Sequence, residues 1–282
     1  MSAVLALLSS LVWGGSDFLG GTVTRRLPGP SVVGVSQLVA LLALVPLAAV
    51  TGALDSPRTY VAPGVLAGLV GSTALLAFYR ALAAGTMGVV APIAALGVLL
   101  PVGVGLVRGE APTAVQVVGI AVAVVGVVLA SGPELSGRAG ARPVVFALVA
   151  AAGFGVVIAL IAQGSRGGLG TVLMTLVTMR LTSVLGLTAM LVMTAPTRGW
   201  ELGVVRRDLP LLALIGVGDA GANYLYGLAS RGDLLSVVAV LGSLYPVVTV
   251  LLAWRLQHER LRRVQALGVA ATLLGVALLA GG

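Results

Sequence analysis

The sequence predicts an all-α integral membrane protein of ten transmembrane helices, arranged as two inverted five-helix repeats. Three observations predict it. The 282 residues are 59% hydrophobic and only 9% charged, against about 45–50% apolar and about 25% charged in soluble domains. The apolar residues fall into windows near the roughly 20 residues that a helix needs to cross a bilayer. Finally, the chain repeats itself: Glu110-x5-Gln116-x2-Gly119-x6-Gly126 recurs as Glu259-x5-Gln265-x2-Gly268-x6-Gly275.

Composition excludes several classes at once. So few charges cannot cover a soluble core, and disorder needs low hydrophobicity with many charges. The chain has no cysteine, which removes disulfides, thiolate metal sites and cysteine nucleophiles. One histidine, His258, leaves no material for a histidine zinc site or a Ser-His-Asp triad. No cofactor is expected. The net charge of +8 rests on arginine alone. Because these arginines sit in short gaps between apolar runs, anionic lipid headgroups are the expected partners rather than nucleic acid.

The windows follow in order. The first, about 3–23, ends at Arg25-Arg26 and lacks a basic leader and a small-residue cleavage site, so it reads as a retained span. Four more lie at about 31–51, 60–84, 87–107 and 113–130. A polar stretch then breaks the pattern, and five windows resume at about 143–163, 170–195, 208–230, 233–254 and 263–281. Continuous runs of this length argue against β-barrel strands, which alternate over about 10 residues. The organisation is therefore a first repeat over 1–131, a linker at 132–142 and a second repeat over 143–282. Leu96-Gly97 and Pro101 match Leu241-Gly242 and Pro246, Trp13-Gly14 matches Phe154-Gly155, and Arg25 matches Arg166. An odd number of spans per repeat inserts the two copies in opposite orientations, with the site expected near the midplane between them. The 40 glycines suit close helix approach in lipid, as in the small-xxx-small pair Gly64 and Gly68.

Trp13-Gly-Gly-Ser-Asp17-Phe-Leu-Gly20-Gly21, together with the two Glu-Gln-Gly segments, resembles EamA-type transporters of the drug/metabolite transporter superfamily over essentially the whole chain. The resemblance implies ten-helix carriers in the inner or plasma membrane for metabolites, amino acids, sugars or toxic organic compounds. Asp17 followed by Gly20 also resembles the small multidrug-resistance branch, whose first-helix acid binds proton and substrate competitively. Here an aspartate stands in place of that branch's glutamate.

Charge inside the bilayer costs at least about 2.5–3.5 kcal/mol per residue and marks function. Asp17, Arg180 and Asp219 lie well inside predicted spans, while Arg80 lies near a span end, where it can snorkel. Asp17 shares a helical stripe with Ser10, Trp13 and Gly20. It reads either as a carboxyl that exchanges a proton for substrate or as half of an ion pair with Arg180. Asp219, Asn223 and Tyr226 form a second stripe, read as cavity lining or as an interhelical clamp. Arg180, matched to Gln37 in the first repeat, either binds a substrate carboxylate or neutralises Asp17 or Asp219. Tyr79 is a candidate aromatic wall. The expected proton-coupling residues are Asp17 and Asp219. The expected substrate-binding residues are Trp13, Asp17, Gln37, Tyr79, Arg180, Asn223 and Tyr226.

Other features carry less. Pro92, Pro101 and Pro246 fall inside spans and can act as gates or static bends. Glu110 and Glu259 read as turn or cap residues. Gly216-Val-Gly218-Asp-Ala-Gly221 matches the dinucleotide fingerprint, but no strand precedes it. The expected function is secondary-active, proton-coupled export of small organic metabolites, amino acids or drugs by alternating access. An uncoupled facilitator or a lipid-linked sugar flippase is the alternative, with an intramembrane enzyme further off. The oligomeric state stays open, with a monomer as one reading. For orientation, Arg58, Arg108, Arg166 and Arg231 lie on the side of the termini. Arg25, Arg26, Arg138, Arg142, Arg198, Arg206, Arg207, Arg255, Arg260, Arg262 and Arg263 lie opposite. The positive-inside rule puts the termini outside, whereas the resemblance implies termini inside.

Overall fold

A computed structural model describes residues 1–282 except 86, 108, 110, 132–140, 199–202, 233, 259–261 and 282. The described residues form helices and no strand. The helices are α1 (Ser2–Thr24), α2 (Gly29–Val50), α3 (Val61–Ala84), α4 (Met87–Ala95), α5 (Leu99–Val107) and α6 (Ala114–Ser131), then α7 (Ala141–Gly164), α8 (Leu169–Arg198), α9 (Leu209–Ala229), α10 (Leu235–Gly242), α11 (Tyr245–Gln257) and α12 (Arg263–Gly281). Seven helical stretches among the described residues are long and apolar enough to cross a membrane, with shorter apolar helices at Val90–Pro101 and Ala114–Gly126.

Two predicted windows differ from the structure. The windows 87–107 and 233–254 were expected as continuous spans, and each is broken near its middle. A 3-10 turn at Leu96–Val98 separates α4 from α5, and residues 243–244 separate α10 from α11. Both breaks have the same cause. Pro101 has no N–H to give the Gly97 carbonyl four residues back, and Pro246 has none for Gly242. Pro92 lies within α4 without interrupting it.

Packing pairs the repeats by exchange. α1 packs on α9 as α3 packs on α7, and α2 packs on α9 as α3 packs on α8. The broken helices obey the same rule: α1 meets α11 as α7 meets α5, and α4 meets α7 as α10 meets α1. The self-paired contacts are α2 on α8 and α6 on α12. Glycines make these approaches possible, because backbone contact leaves no room for a Cβ. A methyl on Gly64 would lie 2.7 Å from Thr178 Cβ, and one on Gly275 would lie 2.7 Å from the Gly119 carbonyl oxygen. Gly14 abuts the Tyr245 carbonyl, and its repeat counterpart Gly155 abuts the Gly97 carbonyl. The first helix of each repeat thus rests on the break in the other. Gly216, in the false fingerprint, seats α9 against the Ser36 backbone of α2.

The repeated Gln116 also has a physical reason. Thr113 N donates to Gln116 Oε1 at 2.9 Å while Gln116 N donates to Thr113 Oγ1 at 3.2 Å, a reciprocal cap that starts α6. Glu110, Glu259 and most of the linker lie outside the described residues. At the opposite face, Arg26 pairs with Asp208 and Gln257 donates to Thr22 at 2.8 Å, tying the end of α1 to α9 and α11. Polarity runs inward. Leu42, Leu69, Leu185 and Leu214 are exposed, while Ser9, Asp17, Gln37, Arg180 and Asn223 are buried. That arrangement suits hydrocarbon solvent and reverses what water would select.

Candidate substrate cavity

A cavity opens at mid-height, where α1, α2, α3, α7, α8, α9 and the start of α11 converge. Trp13, Asp17, Gln37, Phe154, Arg180, Asp219, Asn223 and Tyr245 line it, with Gly71, Leu75, Val157, Ile158, Met179 and Ser183 between them. The cavity volume is about 60 Å³, against roughly 10–15 Å³ for one water, so the cavity has room for the charged head of a small organic solute.

Asp219 is the most heavily bonded group in the wall. Arg180 Nη2 lies 2.9 Å from Asp219 Oδ2, an ion pair by distance without hydrogen-bond alignment. Trp13 Nε1 donates to Oδ1 at 3.1 Å, and Asn223 Nδ2 donates to the same oxygen at 3.0 Å. Gln37 bridges the pair: its Oε1 accepts from Arg180 Nη1 at 2.7 Å, and its Nε2 donates to Asp219 Oδ2 at 3.4 Å. Arg180 is only 1% exposed, and a buried guanidinium is tolerable because the charge beside it is opposite. Its Nε has no hydrogen-bond partner among the described residues.

Asp17 is different. It is buried at 8% exposure, lines the same cavity, and has no hydrogen bond or ion pair to a described residue. The expected alternative of an Asp17–Arg180 pair is not what forms, because Arg180 goes to Asp219. The Tyr245 hydroxyl, also in the wall, is likewise unbonded. An uncompensated carboxyl thus lines one small, largely apolar chamber, while the unbonded Arg180 Nε–H and Tyr245 hydroxyl are buried within residues of the same wall.

Of the residues singled out in the sequence, Trp13, Asp17, Gln37, Arg180, Asp219 and Asn223 meet in this chamber. Asn223 spends its amide within its own helix, on the Asp219 carbonyl at 2.6 Å and on the carboxylate. Two others stand behind the wall. Tyr79 is 1% exposed and fills the notch left by Gly20, and Tyr226 is fully buried with its ring centroid 5.7 Å from that of Trp13. Arg80 is exposed, away from the cavity. Tyr245 and Ser183 were not singled out. Tyr245 reaches the wall only because α11 begins beside it at the break, and the one sequence signal was its place just before Pro246. Ser183 Oγ donates to the Gly68 carbonyl at 3.0 Å.

Known proteins bear on this arrangement in three ways. A protein of known crystal structure, 18% identical in sequence, matches with a TM-score of 0.73 over 98% of this chain and 95% of its own, a likeness of fold. No curated protein matches the chain. The EamA-like transporter family model matches twice, over residues 1–132 and 141–281. With two copies of that module and helices that span a membrane, the chain is a multi-pass membrane protein belonging to the EamA-like transporter family.

Proposed function

We propose that the chain is a secondary-active carrier that exports small organic solutes by alternating access, exchanging them for protons at Asp17. In this reading α4–α5 and α10–α11 are each one broken crossing. The chain then crosses the bilayer ten times as two oppositely inserted repeats, and the exchange symmetry of the helix contacts supports that count. A monomer encloses the whole site in the cell membrane. The observation that carries the reading is the unpaired Asp17 carboxylate in a midplane cavity. Its charge can be cancelled there by a proton or by a cationic group, and one site cannot hold both.

Of the two acids expected to couple protons, Asp17 is the one without a counterion among the described residues. Asp219 on α9 is clamped by Arg180 of α8, while Tyr245 of α11 and Tyr79 of α3 carry no charge at neutral pH. A thermal-shift screen of small organic solutes on the purified protein at two pH values tests the reading. A ligand whose affinity falls on acidification, and whose flux into proteoliposomes follows an imposed pH gradient, is the expected result. Flux indifferent to the gradient would instead identify an uncoupled facilitator.

We also propose that the face bearing Arg25, Arg26, Arg206 and Arg207 is cytoplasmic, with both chain ends on the opposite side. The absence of cysteine makes the test clean. An Arg58→Cys variant should react with a membrane-impermeant maleimide on intact cells, and an Arg206→Cys variant should react only after lysis. The reverse pattern would restore the orientation that the family resemblance implies.

A further inference from the structure

We propose that Arg180 sets the charge of the solute this cavity accepts. By holding Asp219 in a neutral pair it leaves Asp17 as the one uncompensated charge, so the site selects an organic solute with a single positive charge. This rests on the carrier reading above and names its substrate class.

The charge arithmetic uses only the wall. Its charged residues among those described are Asp17, Asp219 and Arg180, two acids and one base, which leave a net charge of −1 when all three are ionised. Position decides where that charge resides. Asp219 accepts from Trp13 and Asn223, faces Arg180 at 2.9 Å, and is linked to it a second time through Gln37. A solute ammonium would have to displace a guanidinium that has nowhere else to go, since Arg180 is 1% exposed. Asp17 has no such partner to displace.

A monocation at Asp17 brings the chamber to neutrality. A zwitterion leaves it at −1, and a dication takes it to +1. Within a protein wall either imbalance is screened less than in water. The remaining wall suits alkyl-substituted ammonium. Trp13, Phe154 and Tyr245 bring aromatic side chains to it, and aromatic faces attract cations, while Leu75, Val157 and Ile158 accept apolar substituents. Gln37 has the positioning role here, because its amide keeps the pair closed from both sides at once.

The test compares three probes that share a trimethylammonium head: (3,3-dimethylbutyl)trimethylammonium as the monocation, glycine betaine as the zwitterion, and ethane-1,2-bis(trimethylammonium), which has the shape of the first, as the dication. Binding is measured by titration calorimetry on the full chain in nanodiscs, at alkaline pH so that protons do not compete. The monocation should bind at least about tenfold more tightly than either of the others, since mismatched charge across a buried contact is costly. Arg180→Gln, which frees Asp219 and takes the wall to −2, should turn the preference toward the dication. Asp219→Asn, which takes the wall to zero by leaving Arg180 unpaired, should turn it toward betaine. The second variant gives an answer where the first does not fold.

Wild-type protein that prefers betaine would mean that Arg180 Nε captures a carboxylate, and the inference would fall. Equal binding of all three probes, or preferences unmoved in the variant that folds, would also overturn it. Either result obtained with protein that still shows pH-driven flux sinks the charge inference alone. Loss of any pH linkage sinks the carrier reading itself.

Discussion

Asp17→Asn is expected to abolish solute flux driven by a pH gradient while raising the melting temperature of the protein. The two effects share one cause. Asparagine keeps the shape of the side chain but can neither carry the negative charge nor exchange it for a proton. The alternating cycle then has nothing to couple. The wild-type carboxylate is also a cost to the fold, being 8% exposed with no counterion or hydrogen bond to a described residue. Removing an uncompensated buried charge relieves that cost, which for a charged group exceeds the about 1–3 kcal/mol of a neutral unsatisfied one.

Gain of stability with loss of activity is the pattern of a residue kept for function. Asp17→Glu should keep pH-linked flux at a reduced rate, because the charge survives and the reach differs by one methylene. The checks are flux in proteoliposomes under an imposed gradient and thermal unfolding in detergent. Undiminished pH-driven flux in Asp17→Asn would remove this residue from the mechanism.

How far the sequence foretold this site depends on what each residue's signal was. Hydrocarbon length and the cost of buried charge are local quantities. They place Asp17, Arg180 and Asp219 at mid-depth without knowledge of the fold, and the structure brings all three to one cavity. The repeated Gly-x3-Pro at Gly97–Pro101 and Gly242–Pro246 was equally visible. Its outcome was not: Pro46 and Pro92 sit inside helices that continue past them, so a proline alone does not say whether a helix bends or breaks.

Pairing was the least legible feature. Which acid Arg180 meets depends on the rotation of α8 relative to α1 and α9. Close contacts such as Gly64 of α3 on Thr178 of α8, and Gly216 of α9 on Ser36 of α2, seat these helices, and no one-dimensional pattern encodes the resulting rotation. Tyr79 and Tyr226 show the same difficulty from the other side. Both occupy faces that point inward, and both stop one layer short of the cavity. Gly20 lets Tyr79 sink into α1, and Tyr226 packs on Trp13 in place of open space.

Asp219→Ala should be the most destabilising single change in the cavity wall, in contrast to its neighbour Asp17. It strips a guanidinium that is 1% exposed of its counterion and leaves the Trp13 indole N–H and the Asn223 amide without the carboxylate that receives them. Breaking one side of a buried ion pair costs about 3–5 kcal/mol, enough to lower both membrane yield and melting temperature. Asp219→Asn should cost less, because an amide oxygen still accepts the indole N–H. Removing both charges together, as Arg180→Gln with Asp219→Asn, should be milder than the sum of the two single changes, since neither member of the pair is then left without its partner. Unfolding midpoints of the four proteins give the coupling energy directly. A coupling near zero would mean that Arg180 draws its stability from elsewhere and that Asp219 is free to bind solute or protons as Asp17 does. Strong coupling would fix the division of labour between two acids on the same cavity wall: one held by the protein, the other left for the cargo.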